Sequence, residues 1–573
     1  MLQTLTTPRG ETLSGTPWQV YPRPQMRRDS YINLNGEWDF AVSSEKPATF
    51  DMGITVPFCP ESRLSGIGRH FEEGAPLWYR RKFVLPEGFR RERVLLHIGA
   101  ADQTAEVFVN GQHLCRHEGG YASFSVDITE ALAEENELVI RCTDDLHDQA
   151  FPYGKQVTNR GGMWYTPVSG IWQTVWLESV PEAYIEKLNI ENHGASVTIS
   201  TVPSLEGTVS VEQLGQFPLE NGRVTIAPEN PRFWCPDNPY LYRFTLETAQ
   251  DRVESYFAIR SLEIKKVGEY PHLCLNGKPW FFHGLLDQGY WPEGLLTAPA
   301  PESYADDILA MKNLGFNTLR KHIKVEPEEF YYQCDRLGMI VWQDMVNNGS
   351  YRYFRDTVLP TVGIQKRNDR RLHRDERSRN AFRQGAADAV NQLKNHPCIC
   401  YWTIFNEGWG QFDSDRVCRW FRTLDATRFI DTTSGWFRGK NTDVDSRHQY
   451  FGKLRLKGDG LRPLVLSEFG GKTWRVEGHI FNPDKTYGYG ACPTKEALNE
   501  AMAALYRESI LPAVEKGLCA AIYTQVSDVE DEVNGLMTYD RRVVKPDGDT
   551  MLPIAQALRD AMEKTVASFE KMG

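Results

Sequence analysis

The sequence predicts two antiparallel β-sandwiches followed by a (β/α)8 barrel, and three observations predict it. Short period-two runs separated by turn residues fill residues 34–180, a smaller set of the same kind continues to Ile264, and after Lys265 the rhythm becomes strand then helix. A chain of 573 residues with 41% hydrophobic content outgrows one core and holds enough apolar material for about two to four.

The first sandwich rests on INLNGEWDF, LWYRRKFVL, RVLLHIG, TAEVFVNG, NELVIRC and GIWQTVWLESV, alternating runs with Asn-Gly and Gly-Gly turns between some of them. ASVTIST, GTVSVEQL, GRVTIAP, YLYRFTLE and RVESYFAIRSLEI form the second, which reads as immunoglobulin-like. The expected boundaries are 1–181, 182–264 and 265–573.

In the last part PWFFHGLL precedes the helical ESYADDILAMKNLG, NTLRKH precedes EEFYYQCDRLG, and MIVWQDM precedes, at a distance, RSRNAFRQGAADAVNQLKN. CYWTIFNE, FIDTTS, DVDSRHQY, PLVLSEF and LCAAIYTQVSD complete eight strand signals, the number a closed parallel barrel needs. The fifth to seventh units are the least regular. No GxGxxG follows a first strand, which disfavours an open doubly wound sheet.

Two glutamates stand where strands of this barrel run out: Glu407 in YWTIFNEGWG and Glu468 in PLVLSEFGG. Carboxylates at the C-terminal rim of a barrel suit acetal cleavage, in which one acid protonates the departing oxygen and the other meets the developing cation. Two such residues, on the fourth and seventh strands, are hard to explain as strand caps. They predict a glycosidase.

LNGEWDF near Trp38, VPFCPES around Pro60, SGIWQTVWLE around Trp172, LNGKPWFFHG around Trp280 and the two glutamate motifs together resemble glycoside hydrolase family 2, which includes β-galactosidases, β-glucuronidases and β-mannosidases. The resemblance covers the whole chain and implies a sugar-binding-type jelly roll, an immunoglobulin-like sandwich and a catalytic TIM barrel in that order. It implies Glu407 as acid/base and Glu468 as nucleophile of a retaining, exo-acting double displacement. It implies further that Asn406 holds the sugar 2-hydroxyl and that Tyr450 contacts the nucleophile. Arg320 and His322, in LRKH, match the family's region loosely and offer a buried cation and a hydroxyl donor. Asp287, beside aromatic residues after the first strand, is a sugar-binding candidate. Trp436 and Tyr523 stand where the family has pocket aromatics, and Trp164 belongs to a first-sandwich loop able to reach the barrel.

For the sugar, family β-glucuronidases carry Asn-x-Lys after the eighth strand, whereas EDEVNGLMTYDRR places Glu532 and Asn534 there. An acid where a uronate needs a cation argues against glucuronides, so a β-galactosidase-like specificity is expected, with β-glucuronidase, β-mannosidase or α-L-arabinosidase as alternatives. A noncatalytic carbohydrate-binding protein is the alternative of a different class. The substrate expected is an oligosaccharide or glycoconjugate.

The net charge of -11 arises from acids and bases mixed along the chain, with no basic block for phosphates, so nucleic acid is not an expected partner. No leader-like or membrane-length apolar run stands out, and 11 dispersed cysteines suit reduced thiols, so a cytoplasmic protein is expected. No HExxH or Cys/His cluster supports a metal, and the chemistry calls for no cofactor. Broad sandwich surfaces suggest a homo-oligomer, a dimer or tetramer.

Overall fold

A computed structural model of the chain describes residues 2–361, 364, 368–452, 454 and 456–570. The first sandwich pairs a four-stranded with a six-stranded antiparallel sheet, in the jelly-roll manner. Alternation explains it: in Gly36–Val42 the burial runs buried, exposed, buried, exposed over its first four residues, and Trp38 and Phe40 enter a core with Tyr79, Leu96, Val107 and Ile140. The immunoglobulin-like sandwich pairs three- and four-stranded sheets around Ile199, Val209, Leu246 and Phe257. A short three-stranded sheet, from Leu262–Val267 to Lys278–Pro279, leads into the barrel.

The barrel strands are β1 (Phe282–Asp287), β2 (Thr318–Lys321), β3 (Ile340–Asp344), β4 (Ile399–Asn406), β5 (Phe429–Ser434), β6 (Asp445–Gln449), β7 (Leu464–Phe469) and β8 (Leu518–Thr524). They pair in parallel in the order β5-β4-β3-β2-β1-β8-β7-β6, and β5 lies beside β6 across a seam without a ladder. Seven of the eight are buried throughout, as expected of parallel strands covered on both faces, while β6 is buried only at its start. Its irregularity matches the weak repeat read there: among the described residues no helix separates β5 from β6 or β6 from β7.

One apolar core runs from the barrel into the first sandwich and includes Tyr121, Tyr153, Tyr165 and Trp172. The indole Nε1 of Trp172 donates to Gly120 O at 2.8 Å, and Thr297 Oγ1 donates to Trp172 O at 2.6 Å. This seam fixes sandwich loops against the barrel rim. None of the eleven cysteines is in a disulfide, and no described helix is long and apolar enough to cross a membrane.

Candidate active site

The C-terminal ends of β4, β6 and β7 bring three side chains together. Glu407, the residue after β4, has φ of 51°, and its N–H donates to Ser434 O at 3.0 Å. That left-handed turn leads into Gly408 and Gly410, and a Cβ on Gly410 would stand 2.3 Å from Asn348 O, so this turn requires glycine. Glu468 lies in β7 directly opposite His448 of β6. His448 Nδ1 is 2.8 Å from Glu407 Oε1 and 3.6 Å from Glu468 Oε2, and one carboxylate oxygen of each glutamate lies within 4.8 Å of the other.

Arg320, fully buried at the end of β2, organises the floor. Its guanidinium donates to Asp344 Oδ1 (3.0 Å), Glu468 Oε1 (3.0 Å), Ser467 O (3.0 Å) and Asn406 Oδ1 (2.9 Å). The bond to Asn406 fixes the amide with its oxygen toward the arginine, and no described group claims its N–H donors. Tyr450 donates from its hydroxyl to Glu468 Oε2 at 2.5 Å, and its ring stacks on Tyr489 at 3.9 Å. His322 Nδ1 lies 2.7 Å from Asp344 Oδ2.

These contacts set the electrostatics. Burial would raise the Glu468 carboxyl, but His448, Arg320 and His322 together with the Tyr450 hydrogen bond outweigh it and hold it down to about 2. Glu468 is therefore an ionised carboxylate with one donor on each oxygen. Burial lowers the His322 imidazole to about 4 against the pull of Asp344, leaving it neutral at pH 7. Glu407, with 21% of its side chain exposed against 5% for Glu468, is the more open of the two carboxyls.

Among the remaining expected residues, Trp436 is half-buried after β5, with its ring 6.4 Å from that of His448. Trp164 arrives from the first sandwich and packs edge-on against Trp409, two residues beyond Glu407, at 4.7 Å, and against Tyr351 at 4.9 Å. Two side chains are committed elsewhere. Asp287 pairs with Lys321 Nζ at 2.7 Å in a buried cluster with Glu326. Tyr523 is fully buried, packs on Phe469 and accepts a hydrogen bond from Lys472 N at 2.9 Å, so it supports the β7 end from behind.

Sequence reasoning missed His448, Asp344 and Tyr489. A signal existed for the first: His448 and Tyr450 are two apart in HQYFG, and period-two alternation puts them on one face of the chain. For Tyr489, in the long connection after β7, the sequence carries none. The ligand atoms of Glu407, His448 and Glu468 lie close enough to share a cation. The Arg320 guanidinium 3.0 Å from Glu468 already supplies positive charge there, and a metal would occupy both carboxyls that the chemistry needs.

The carboxyl spacing and the polarised Glu468 suit displacement at an acetal carbon through a covalent ester. Comparison with known proteins points the same way. Residues 266–480 match the glycosyl hydrolases family 2 TIM barrel domain, 70–161 the glycosyl hydrolase 2 galactose-binding domain-like region, and 182–260 the glycosyl hydrolases family 2 model that lies between them. The chain is 24% identical over 416 residues to a β-galactosidase of Thermoanaerobacter pseudethanolicus, covering 66% of this chain and 52% of that protein. It spans about half the length of the first curated relatives it matches. In fold it is similar to a β-glucuronidase of an uncultured Clostridium (TM-score 0.71, 19% identity, 95% of this chain and 100% of that one). It is also similar to a β-galacturonidase of Eisenbergiella tayi bound to galacturonate (TM-score 0.68, 18% identity, 95% and 99%). Three matched regions in one order, on a barrel whose fourth and seventh strands end in paired glutamates, lead to one conclusion: the chain belongs to glycoside hydrolase family 2.

Proposed function

We propose that the protein is a retaining, exo-acting β-glycosidase that removes terminal β-linked uronic acid residues from oligosaccharides or glycoconjugates. The observation that carries the reaction type is the short gap between the Glu407 and Glu468 oxygens, within 4.8 Å, which leaves no room for a water between Glu468 and the anomeric carbon. Glu468 attacks the anomeric carbon while Glu407 protonates the leaving oxygen. Glu407 then deprotonates a water that attacks the same carbon, and Glu468 departs as a carboxylate. Arg320 and the Tyr450 hydroxyl keep Glu468 aimed and ionised, and the free amide N–H groups of Asn406 are available to the sugar 2-hydroxyl.

For the sugar, the relatives and similar structures named β-glucuronidase or β-galacturonidase outnumber the β-galactosidase, which supports the uronide over the galactoside preferred on sequence alone. The sequence objection was Glu532. In the structure both of its oxygens are engaged, by Tyr165 OH at 2.5 Å and Asn534 Nδ2 at 3.0 Å. A neutral β-galactoside is the second reading, favoured by that same buried carboxylate. The unpaired cysteines, eight of them buried, support a reducing compartment such as the cytoplasm.

The test is hydrolysis of 4-nitrophenyl β-D-glucuronide, galacturonide, galactoside, glucoside and mannoside by the wild type, Glu468→Ala and Glu407→Ala. Loss of activity in both variants is expected, with azide returning an α-glycosyl azide from Glu468→Ala and a β-glycosyl azide from Glu407→Ala. Undiminished hydrolysis by either variant would overturn the assignment of the pair.

A further inference from the structure

The first sandwich sends residues 153–165 across the rim of the barrel. Tyr153 and Gly154 donate their N–H groups to Asn347 O at 3.2 and 3.4 Å, and the Tyr153 hydroxyl donates to Gly349 O at 2.7 Å. Gly154 has φ of 66°, and a Cβ there would stand 3.2 Å from Ile323 O, so the chain passes against the residue that follows His322. At the other end Tyr165 N donates to Lys155 O at 3.1 Å, while its hydroxyl donates to Glu532 Oε2 at 2.5 Å. Lys155 is thereby fixed between the end of β2 and the loop after β8.

Several neighbouring cations are already committed. Lys321 bonds Asp287 and Glu326, Lys324 bonds Glu326 and two backbone carbonyls, Arg160 pairs with Glu530 and Asp531, and Lys545 pairs with Asp528. The half-buried Lys155 has neither an ion pair nor a side-chain hydrogen bond among the described residues. Its charge is felt at two places on the rim: it helps lower the His322 imidazole, and it opposes the burial that raises the Glu532 carboxyl. An ammonium partly withdrawn from water, with no carboxylate in direct contact, is suited to a ligand that brings one.

Resting on the uronide reading above, we propose that Lys155, contributed by the sandwich and not by the barrel, binds the C6 carboxylate of the terminal uronosyl residue. The Glu532 oxygens are occupied by Tyr165 and Asn534, so the acid that replaces the family's asparagine backs Lys155 and does not confront the ligand. The ligand class is a β-uronide with an ionised carboxylate, gluco or galacto in configuration.

The test compares kcat/KM for 4-nitrophenyl β-D-glucuronide and β-D-galacturonide with that for the matching glucoside and galactoside, in wild type, Lys155→Met and Lys155→Arg. Loss of one charge-assisted contact predicts that Lys155→Met lowers the uronide-to-neutral ratio by roughly 10- to 150-fold, chiefly through KM, and that Lys155→Arg restores part of it. Thermal melts of each variant report folding; Lys155→Gln provides a second neutral variant if the methionine protein is unstable. A wild type that cleaves uronides, with the ratio unmoved in the neutral variants, overturns the role of Lys155 and leaves the uronide reading standing. An equal loss on charged and neutral sugars also overturns it. A wild type that cleaves only neutral glycosides overturns the uronide reading and the proposal together.

Discussion

Replacing Tyr450 by phenylalanine separates the two half-reactions. The ring keeps its stack on Tyr489 at 3.9 Å, and the hydroxyl that donates to Glu468 Oε2 at 2.5 Å and shares a 3.0 Å hydrogen bond with Thr524 Oγ1 is lost. A hydrogen bond to a charged group contributes about 1.5–3 kcal/mol, which at about 1.36 kcal/mol per unit is roughly one to two pKa units. Glu468 then rises from about 2 to roughly 3–4, still ionised at pH 7. Because its pKa in the folded protein lies below the ordinary carboxylate value, the active form is lost only as pH falls through that pKa. The acid limb of kcat/KM therefore moves upward yet stays below about pH 5. In ester formation the more basic carboxylate offsets the lost positioning. In ester breakdown Glu468 must leave without its donor, slowing that step by roughly 10- to 150-fold. The intermediate accumulates, so kcat and KM fall together while kcat/KM changes less. Stopped-flow hydrolysis of a 2,4-dinitrophenyl glycoside should show a burst of about one aglycone per enzyme. A raised or unchanged KM without a burst would refute the reasoning.

Other expectations follow from the backbone and from burial. Glu407 occupies the left-handed region at φ 51°, which costs a residue with a Cβ roughly 1–2 kcal/mol, so Glu407→Gly should melt at a higher temperature than Glu407→Ala, and both are expected to be inactive. Gly410→Ala should cost roughly 10- to 100-fold in kcat/KM with unchanged circular dichroism, because its Cβ would displace the turn carrying Glu407 away from Asn348. Burial, reinforced by the charge of Glu61 and opposed by the Gln156 hydrogen bond, pushes Asp102 up to about 7, so the folded protein retains a proton that the unfolded chain releases near its ordinary value of 3.8. Stability is then lost as pH rises between those values. Asp102→Asn should raise the Tm more at pH 8 than at pH 5, and an equal gain at both would contradict this account.

The sandwiches and all eight barrel strands were legible because alternation and buried apolar runs are local properties of sequence. Glu407 and Glu468 were legible because each ends such a run. The less legible parts depend on which chain segments meet. LRKH shows an arginine, but its four acceptors come from β3, β4 and β7 and cannot be read from β2. Asp287 and Tyr523 occupy plausible rim positions, yet the lysine paired with Asp287 in register on the neighbouring strand and a backbone N–H claim them. Glu532 read as a repulsive acid because Tyr165, 367 residues earlier in the chain, was invisible as its partner. Long-range partners decide the meaning of a polar residue, and sequence spacing does not supply them.

The crossing of residues 153–165 onto the rim has a consequence for how this protein can change. Bond cleavage is assigned to side chains whose rigidity comes from the barrel, whereas the segment approaching from the sandwich is anchored there by backbone hydrogen bonds, two tyrosine hydroxyls and the ion pairs of Arg160 with Glu530 and Asp531. Substitutions at its exposed positions, such as Thr158 and Asn159, leave the strand ladders untouched and spare the buried network around Arg320. Selectivity and chemistry are therefore separately heritable: one module can explore new sugars by drift in a tethered loop while the other preserves its reaction. Directed evolution confined to this segment would exploit that partition, whereas excising the sandwich would strip the rim and open the apolar core that the two modules share.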